Sequence, residues 1–298
     1  MAITSSAFAK ALWPGIMDWW GVEYNRYPEQ WREIFDVYQS NKQFEEDVGF
    51  SGFGLAPTKP EGQAISYDQA RQGFLKRYTH TVYALGFLLT RENYDDNLYA
   101  DLAKGYTSNL AVSMRQTKEV VCANVLNRAF NSSYTGADGL ELCSTAHLNV
   151  AGGTWANELS TAADLSEASL EQAVIDIMNF KDDRDNRIAY QPTKLIIPRD
   201  LIFEAQRILK TPYRSGTSDN DLNALHSLGY VQDIAVNQYL TDADAWFIKT
   251  NCPNGMKYLE RRPDEFNMVD NDFDTENHKY KSTMRFDVGW TDPRGIFG

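Results

Sequence analysis

Long apolar runs are missing from this 298-residue chain. The longest, Tyr83-Ala84-Leu85-Gly86-Phe87-Leu88-Leu89, falls far short of the roughly 20 residues a membrane-spanning helix needs. No membrane partner is therefore expected. The opening residues Met1–Lys10 lack the basic start and apolar block of a secretory signal. Cysteine is scarce: Cys122, Cys143 and Cys252 cannot all pair within one chain, so reduced thiols in a cytoplasmic setting are expected. Cations are the minority charge, with 29 lysines and arginines against 41 aspartates and glutamates, a net charge of −12. That balance excludes a protein gripping nucleic acid with its whole surface, because neutralising phosphates takes clustered cations.

Catalytic signatures are absent too. Gly49-Phe50-Ser51-Gly52-Phe53-Gly54 has three glycines, but in neither the dinucleotide order nor that of a nucleophile elbow, and no P-loop lysine follows. His80, His147, His226 and His278 are scattered, with no ligand pair and no C-x-x-C to announce zinc. Asp270-Asn271-Asp272-Phe273-Asp274-Thr275-Glu276 starts like a calcium loop, yet Thr275 stands where glycine belongs and Lys281 where the closing glutamate belongs. An acidic solvent-facing loop is the expectation there, and a charged turn at Asp182-Asp183-Arg184-Asp185-Asn186. No enzyme emerges, and no catalytic residue, cofactor or metal is assigned.

What the chain has is order. Residues 1–50 are rich in aromatics, among them Trp13, Trp19, Trp20, Tyr24, Trp31, Phe35 and Tyr38. From Trp20 to Tyr38 they recur in threes and fours, one face of a helix, with Pro28 fitting the first turn of a helix over 28–39. That stripe either faces the chain's own core or is covered by a neighbouring chain. A glycine- and proline-rich stretch over 49–65 precedes residues of two-residue period around Thr79–Leu85, read as an extended hairpin outside the core. Arg71, Lys76 and Arg77 make it locally basic. Leu98, Leu102, Tyr106, Leu110 and Met114 then recur every four residues, predicting a helix over Arg91–Ala129 with a division or kink at Gly105. At about 1.5 Å per residue it would approach 60 Å, longer than a compact domain needs.

Beyond Gly136 helix and strand alternate. Asp164–Glu167 resembles a capping box ahead of an amphipathic helix. Lys194–Pro198 reads as a buried strand running into a helix over Asp200–Leu209, and Ser215–Asp221 as a polar loop. Strands are expected at Val231–Asn237, Ala245–Lys249, Gly255–Arg261, Glu265–Asp270 and Tyr280–Trp290. In the last, Ser282, Met284, Phe286, Val288 and Trp290 share one face. Most of the acidity lies in 132–254.

This succession resembles the major capsid (head) protein of tailed double-stranded-DNA bacteriophages, the Mu-like head-subunit type, whose fold encapsulins share. Asp138-Gly139-Leu140-Glu141-Leu142-Cys143-Ser144-Thr145-Ala146-His147 is similar to the family's D-G-x-x-L-[FC]-S-x-x-H stretch. Pro192–Leu201 is similar to its strand-to-helix step, and Phe286–Trp290 to its terminal strand. The resemblance implies an α+β fold: an N-terminal arm (1–48), an extended β-hairpin loop (49–89), a spine helix (90–131), an axial domain (132–250) and peripheral-domain strands (251–298). It implies a virion shell of pentamers and hexamers of this chain, assembled in the host cytoplasm, enclosing double-stranded DNA without sequence-specific binding.

A separate scaffolding protein, a portal and a decoration protein would be its partners, since no scaffolding segment precedes the spine. Contacts between subunits are expected at Trp13, Trp19, Trp20, Tyr24, Trp31, Arg71, Lys76, Arg77, Asp270, Asp272 and Asp274. The basic loop residues would meet an acidic stretch, either Asp270–Glu276 or Asp182–Asp185. Lys59 and Lys76 stand where some relatives supply an isopeptide lysine, but no partner asparagine is identifiable. The alternatives are an encapsulin-like compartment, a soluble α/β hydrolase or binding domain, and a tail-tube subunit, which would lack the spine helix.

Overall fold

The computed structural model describes residues 9–90, 92, 99–214, 221–231, 233–269 and 277–298, with only the backbone of 9–16, 99–102 and 269. Helix α1 (Ala9–Tyr24) leads through a 3-10 turn at Trp31–Glu33 into strand β1 (Asp36–Gln39). Strands β2 (Phe44–Ser51) and β3 (Arg71–Thr79) pair as a hairpin, followed by β4 (Thr81–Leu89) and the long helix α2 (Tyr99–Asn127). The middle of the chain holds β5 (His147–Leu148), β6 (Thr154–Trp155), α3 (Glu167–Met178), β7 (Pro192–Ile197) and α4 (Ile202–Lys210). There follow α5 (Ala224–Leu228), β8 (Asp233–Val236), β9 (Phe247–Thr250), β10 (Met256–Val269), β11 (His278–Trp290) and β12 (Ile296–Phe297).

Two four-stranded sheets organise the described residues, in the orders β1-β10-β11-β4 and β12-β9-β7-β8. In the second, every strand alternates between two cores. Ile196, Ala235, Phe247 and Ile296 face the core that α2 builds with the first sheet. Leu195, Ile197, Ile248 and Phe297 face a separate core with α3 and α4. A strand buried on both faces reads as an unbroken apolar run, which is why Leu195-Ile196-Ile197 carries no polar residue. The C-terminal residues join the two sheets. Gly255 opens β10 against Gly295, and a Cβ on Gly295 would lie 2.6 Å from the Gly255 Cα, so both positions need glycine for the backbones to meet.

Helix α2, 29 residues and about 43 Å long, runs unbroken through Gly105; its expected beginning at 91–98 lies mostly outside the described residues. Its buried face is Ala103, Thr107, Leu110, Ala111, Met114, Cys122, Ala123 and Leu126, spaced in threes and fours. Tyr106, expected inside, is half exposed. The three cysteines are free and buried, and burial pushes the Cys122 and Cys143 thiols well up. Among the described residues no helix is long and apolar enough to cross a membrane, and no His/Cys/Asp/Glu group has the arrangement of a metal site.

Several expectations need correction. There is no helix over 28–39: Trp31 and Phe35 are four apart because a 3-10 turn delivers the chain to β1, which pairs in parallel with β10. Residues 36–39 are thus sheet, not arm. Likewise β4 lies in the first sheet beside β11, not in a projecting loop, because Tyr83 and Phe87 stack on Phe286 and Tyr280 at 5.0 and 4.8 Å. The projecting hairpin spans 44–79. Two expected strands are one, β10, with ladder shifts between Glu260 and Glu265. The capping box before α3 is Ser166 with Ser169. The last strand, β12, pairs with β9 in the second sheet rather than with its sequence neighbours. The polar loop at 215–220 and the acidic run at 270–276 lie outside the described residues.

Candidate assembly interface

The arm's aromatics are held by their own chain. Trp20 stacks on Phe266 with ring centroids 4.8 Å apart, and Trp31 packs on Tyr258 at 4.2 Å; both are more than nine-tenths buried. Polar groups on α2 fix the register. Glu119 accepts the backbone N–H groups of Gln30 (2.9 Å) and Trp31 (3.1 Å), Lys118 Nζ donates to the Tyr24 hydroxyl at 2.9 Å, and Arg115 donates to the Tyr24 carbonyl. Burial raises the Glu119 carboxyl above the usual range, opposed by those two N–H bonds. Trp19 is partly buried beside Lys104.

Of the five arm aromatics expected at a subunit contact, Trp20 and Trp31 are core residues, and Tyr24 and Trp19 pack against the same core. Trp13 lies where side chains are not described. Among the described residues this segment leaves Met17, Val22, Tyr27, Val37, Tyr38 and Phe44 open; Tyr27 and Tyr38 belong to the aromatic series, so that periodicity does not mark one buried face.

Two of the three basic hairpin residues also find partners at home. Arg77 pairs with Glu46 across the hairpin at 2.6 Å and lies over the Phe44 ring. Lys76 Nζ donates to the Thr135 carbonyl at 3.3 Å and sits 5.1 Å from the centre of the Trp290 ring; burial lowers its pKa, against the pull of Asp287. Arg71 is exposed, opposite Ser51 in the ladder. The acidic turn is equally occupied. Asp182 accepts the N–H groups of Arg184 and Asn186, Asp183 faces Arg294 at 3.6 Å, and Asp185 pairs with Lys181 at 2.6 Å. Asp270, Asp272 and Asp274 lie outside the described residues.

The hairpin is anchored at its base, and the apolar side chains beyond it are open. Asp47 accepts Lys257 Nζ at 2.6 Å and the Thr291 hydroxyl at 2.9 Å, while the buried Tyr78 hydroxyl meets Thr291 at 2.8 Å. Past Ser51 and before Arg71 the backbone pairs in no strand, and its apolar side chains are open: Phe53 65%, Leu55 85%, Ile65 57% and Tyr67 87% exposed, with Phe50 at 77%. Soluble monomers rarely leave so many large apolar groups together in water. The chain exposes 17205 Å², where a compact monomer of its mass would expose roughly 12,800 Å².

The Asp138–His147 stretch proves to be a knot. His147 Nδ1 lies 2.6 Å from the Asp138 carboxylate and Nε2 lies 3.0 Å from Asn157 Oδ1. Asn157 in turn donates to the carbonyls of Leu142, Pro293 and Ile296, and its Oδ1 accepts the Ser144 N–H. This stretch ties the segment after the spine to the C-terminal strand.

Two sheets are braced by one long helix, and a hairpin with an open apolar tip lies outside both cores. A family model described as phage capsid protein matches residues 75–297, and the chain belongs to that family. It is a major capsid shell protein. Comparison with curated proteins finds no match. Among solved structures the chain is similar to the virus-like particle of Pyrococcus furiosus (11% identity, 95% of this chain and 96% of that one, TM-score 0.55). It is also similar to the mature capsid of bacteriophage PhiM1 (11%, 91% and 86%, TM-score 0.55) and to the capsid of the empty GTA particle (14%, 90% and 88%, TM-score 0.53). At such identities the likeness is one of fold. The hydrolase and compartment alternatives are not favoured, and the spine helix is present where a tail-tube subunit would lack it.

Proposed function

We propose that the chain forms the icosahedral head shell of a tailed phage as pentamers and hexamers of itself, enclosing double-stranded DNA without reading its sequence. The observation that carries this is the hairpin: exposed Phe50, Phe53, Leu55, Ile65 and Tyr67 on a stalk pinned at its base, an apolar surface with no cover of its own. In this reading the first sheet and spine form the peripheral domain, and the second sheet with its helices forms the axial domain around the symmetry centres. The net negative charge keeps the inner wall from adhering to packaged DNA. Assembly takes place in the bacterial cytoplasm with a separate scaffolding protein and a portal, and the outer face of the finished head is open to a decoration protein. The chain acts as a structural subunit, not an enzyme.

The test is negative-stain microscopy and mass photometry of the full chain, with and without its scaffolding protein. Closed shells or curved sheets and tubes are expected. A monomer that stays monomeric at every concentration under both conditions would refute the reading.

A further inference from the structure

Four features of the hairpin belong to one device. Its base is fixed by Lys257, Thr291 and Tyr78, as described above. Immediately outward the ladder slips between Val48 and Phe50. There Gly73 lies so close to the opposite strand that a Cβ on it would sit 2.8 Å from the Gly49 carbonyl oxygen. A bulge with two facing glycines bends a ribbon locally and leaves no side chains to lock the bend.

Beyond it, Phe50 and Phe74 look across a cleft of about 360 Å³ whose far wall includes Trp155, Ile188 and Tyr190 of the middle block. The ribbon spans this space rather than packing into it. On the far side, among the described residues, Arg184 fastens it. Arg184 donates through one guanidinium nitrogen to the Asp68 carboxylate and through another to the Gln69 carbonyl. Asp68 also accepts the N–H groups of Gly54 and Gln69, each at 2.8 Å, so one carboxylate gathers both arms of the tip onto one cation. Arg184 is itself held by a tight turn, with its N–H bonded to Asp182 and Asp185 at φ 66°.

We propose that the hairpin is a strap with two positions, closed on its own middle block by the Arg184–Asp68 clasp in the free subunit and open when its apolar tip moves to a second copy. This rests on the reading that the tip meets another copy. The clasp suits a contact that is to be displaced. Both partners are partly exposed, so the ion pair is weak and screened by salt. The remainder of the tip makes no strand that would have to be broken, and the glycine pair lets the stalk swing without disturbing the base.

The experiment is hydrogen exchange on the free subunit, below the concentration at which it assembles, for the wild type, Arg184→Ala and Asp68→Asn, followed by assembly kinetics of the same three. In both variants the amides of Gly54 and Gln69 exchange at least tenfold faster, while the base amides and the melting temperature stay put. Assembly then starts severalfold earlier, because the tip is released. Unchanged exchange at Gly54 and Gln69 overturns the clasp. Released amides with an onset that is unchanged or delayed overturn its restraining role. If no form assembles at all, the proposed shell function fails, whereas the exchange result still decides whether the clasp exists.

Discussion

Removing Glu119 tests whether the arm segment belongs to its own chain. The side chain is 2% exposed and is the sole described acceptor for the N–H groups of Gln30 and Trp31. Glu119→Ala strands both donors, each costing about 1–3 kcal/mol, less for the partly exposed Gln30. It also removes a carboxyl that interacts with the charge of Arg115. A loss of roughly 2–4 kcal/mol follows, or roughly 3–6 °C in Tm for a chain of this size. Glu119→Gln keeps one acceptor and loses about half as much.

The pH dependence supplies a second reading of the same site. The folded carboxyl is raised by burial, so the folded state binds more protons than the unfolded state just above the ordinary glutamate range. The wild type therefore gains stability as pH falls from neutral toward that range, and Glu119→Gln lacks that gain, so the gap between the two widens. The assay is thermal unfolding of the free subunit followed by tryptophan fluorescence, in which Trp31 reports loss of its Tyr258 contact. A Glu119→Ala shift below about 1 °C would refute the reasoning, since the arm would then be held by something other than this bond pair.

Asn157→Ala strands the buried Ser144 N–H and takes a donor from the carbonyls of Leu142, Pro293 and Ile296, of which Leu142 keeps His147 and Pro293 keeps the Ile296 N–H; a loss of about 2–4 kcal/mol in denaturant unfolding is expected. Gly295→Ala drives a methyl into the Gly255 backbone and costs about 1–3 kcal/mol by the same measurement, with faster exchange across β12. The double change Phe53→Ser with Leu55→Ser alters side chains already in water; folding stability moves by no more than about 0.5 kcal/mol, while assembly by light scattering is lost.

The sequence was most legible where one face decides burial. In β11 the two-residue period put Ser282, Met284, Phe286, Val288 and Trp290 on one face; four are buried there and Val288 packs partly buried against the same core. The strand at 192–197 was legible as an apolar run, though not its position between two cores. On the spine, a count of large apolar residues chose a stripe through Tyr106. The actual face relies on Ala103, Ala111 and Ala123, small residues that let neighbours approach, and on Arg115, Lys118 and Glu119, charged residues buried because Tyr24 and the Gln30–Trp31 backbone meet them. Hydropathy has no means of seeing either group. The arm failed for a related reason: four-residue spacing of Trp31 and Phe35 fits a helix and a 3-10 turn equally well. For the interface, the two-residue period pointed to an extended hairpin, but not to Lys76 and Arg77 being consumed within the chain, because their partners Thr135, Trp290 and Glu46 are distant in sequence.

Electron cryomicroscopy of the assembled particle is the most direct measurement of whether the hairpin is completed by a sister copy. Phe53, Leu55, Ile65 and Tyr67 should be buried against a neighbouring subunit, with Trp20 and Trp31 still seated on Phe266 and Tyr258 of their own chain. A map in which the hairpin tip stands in solvent, or remains on Arg184 in every subunit, would contradict the account.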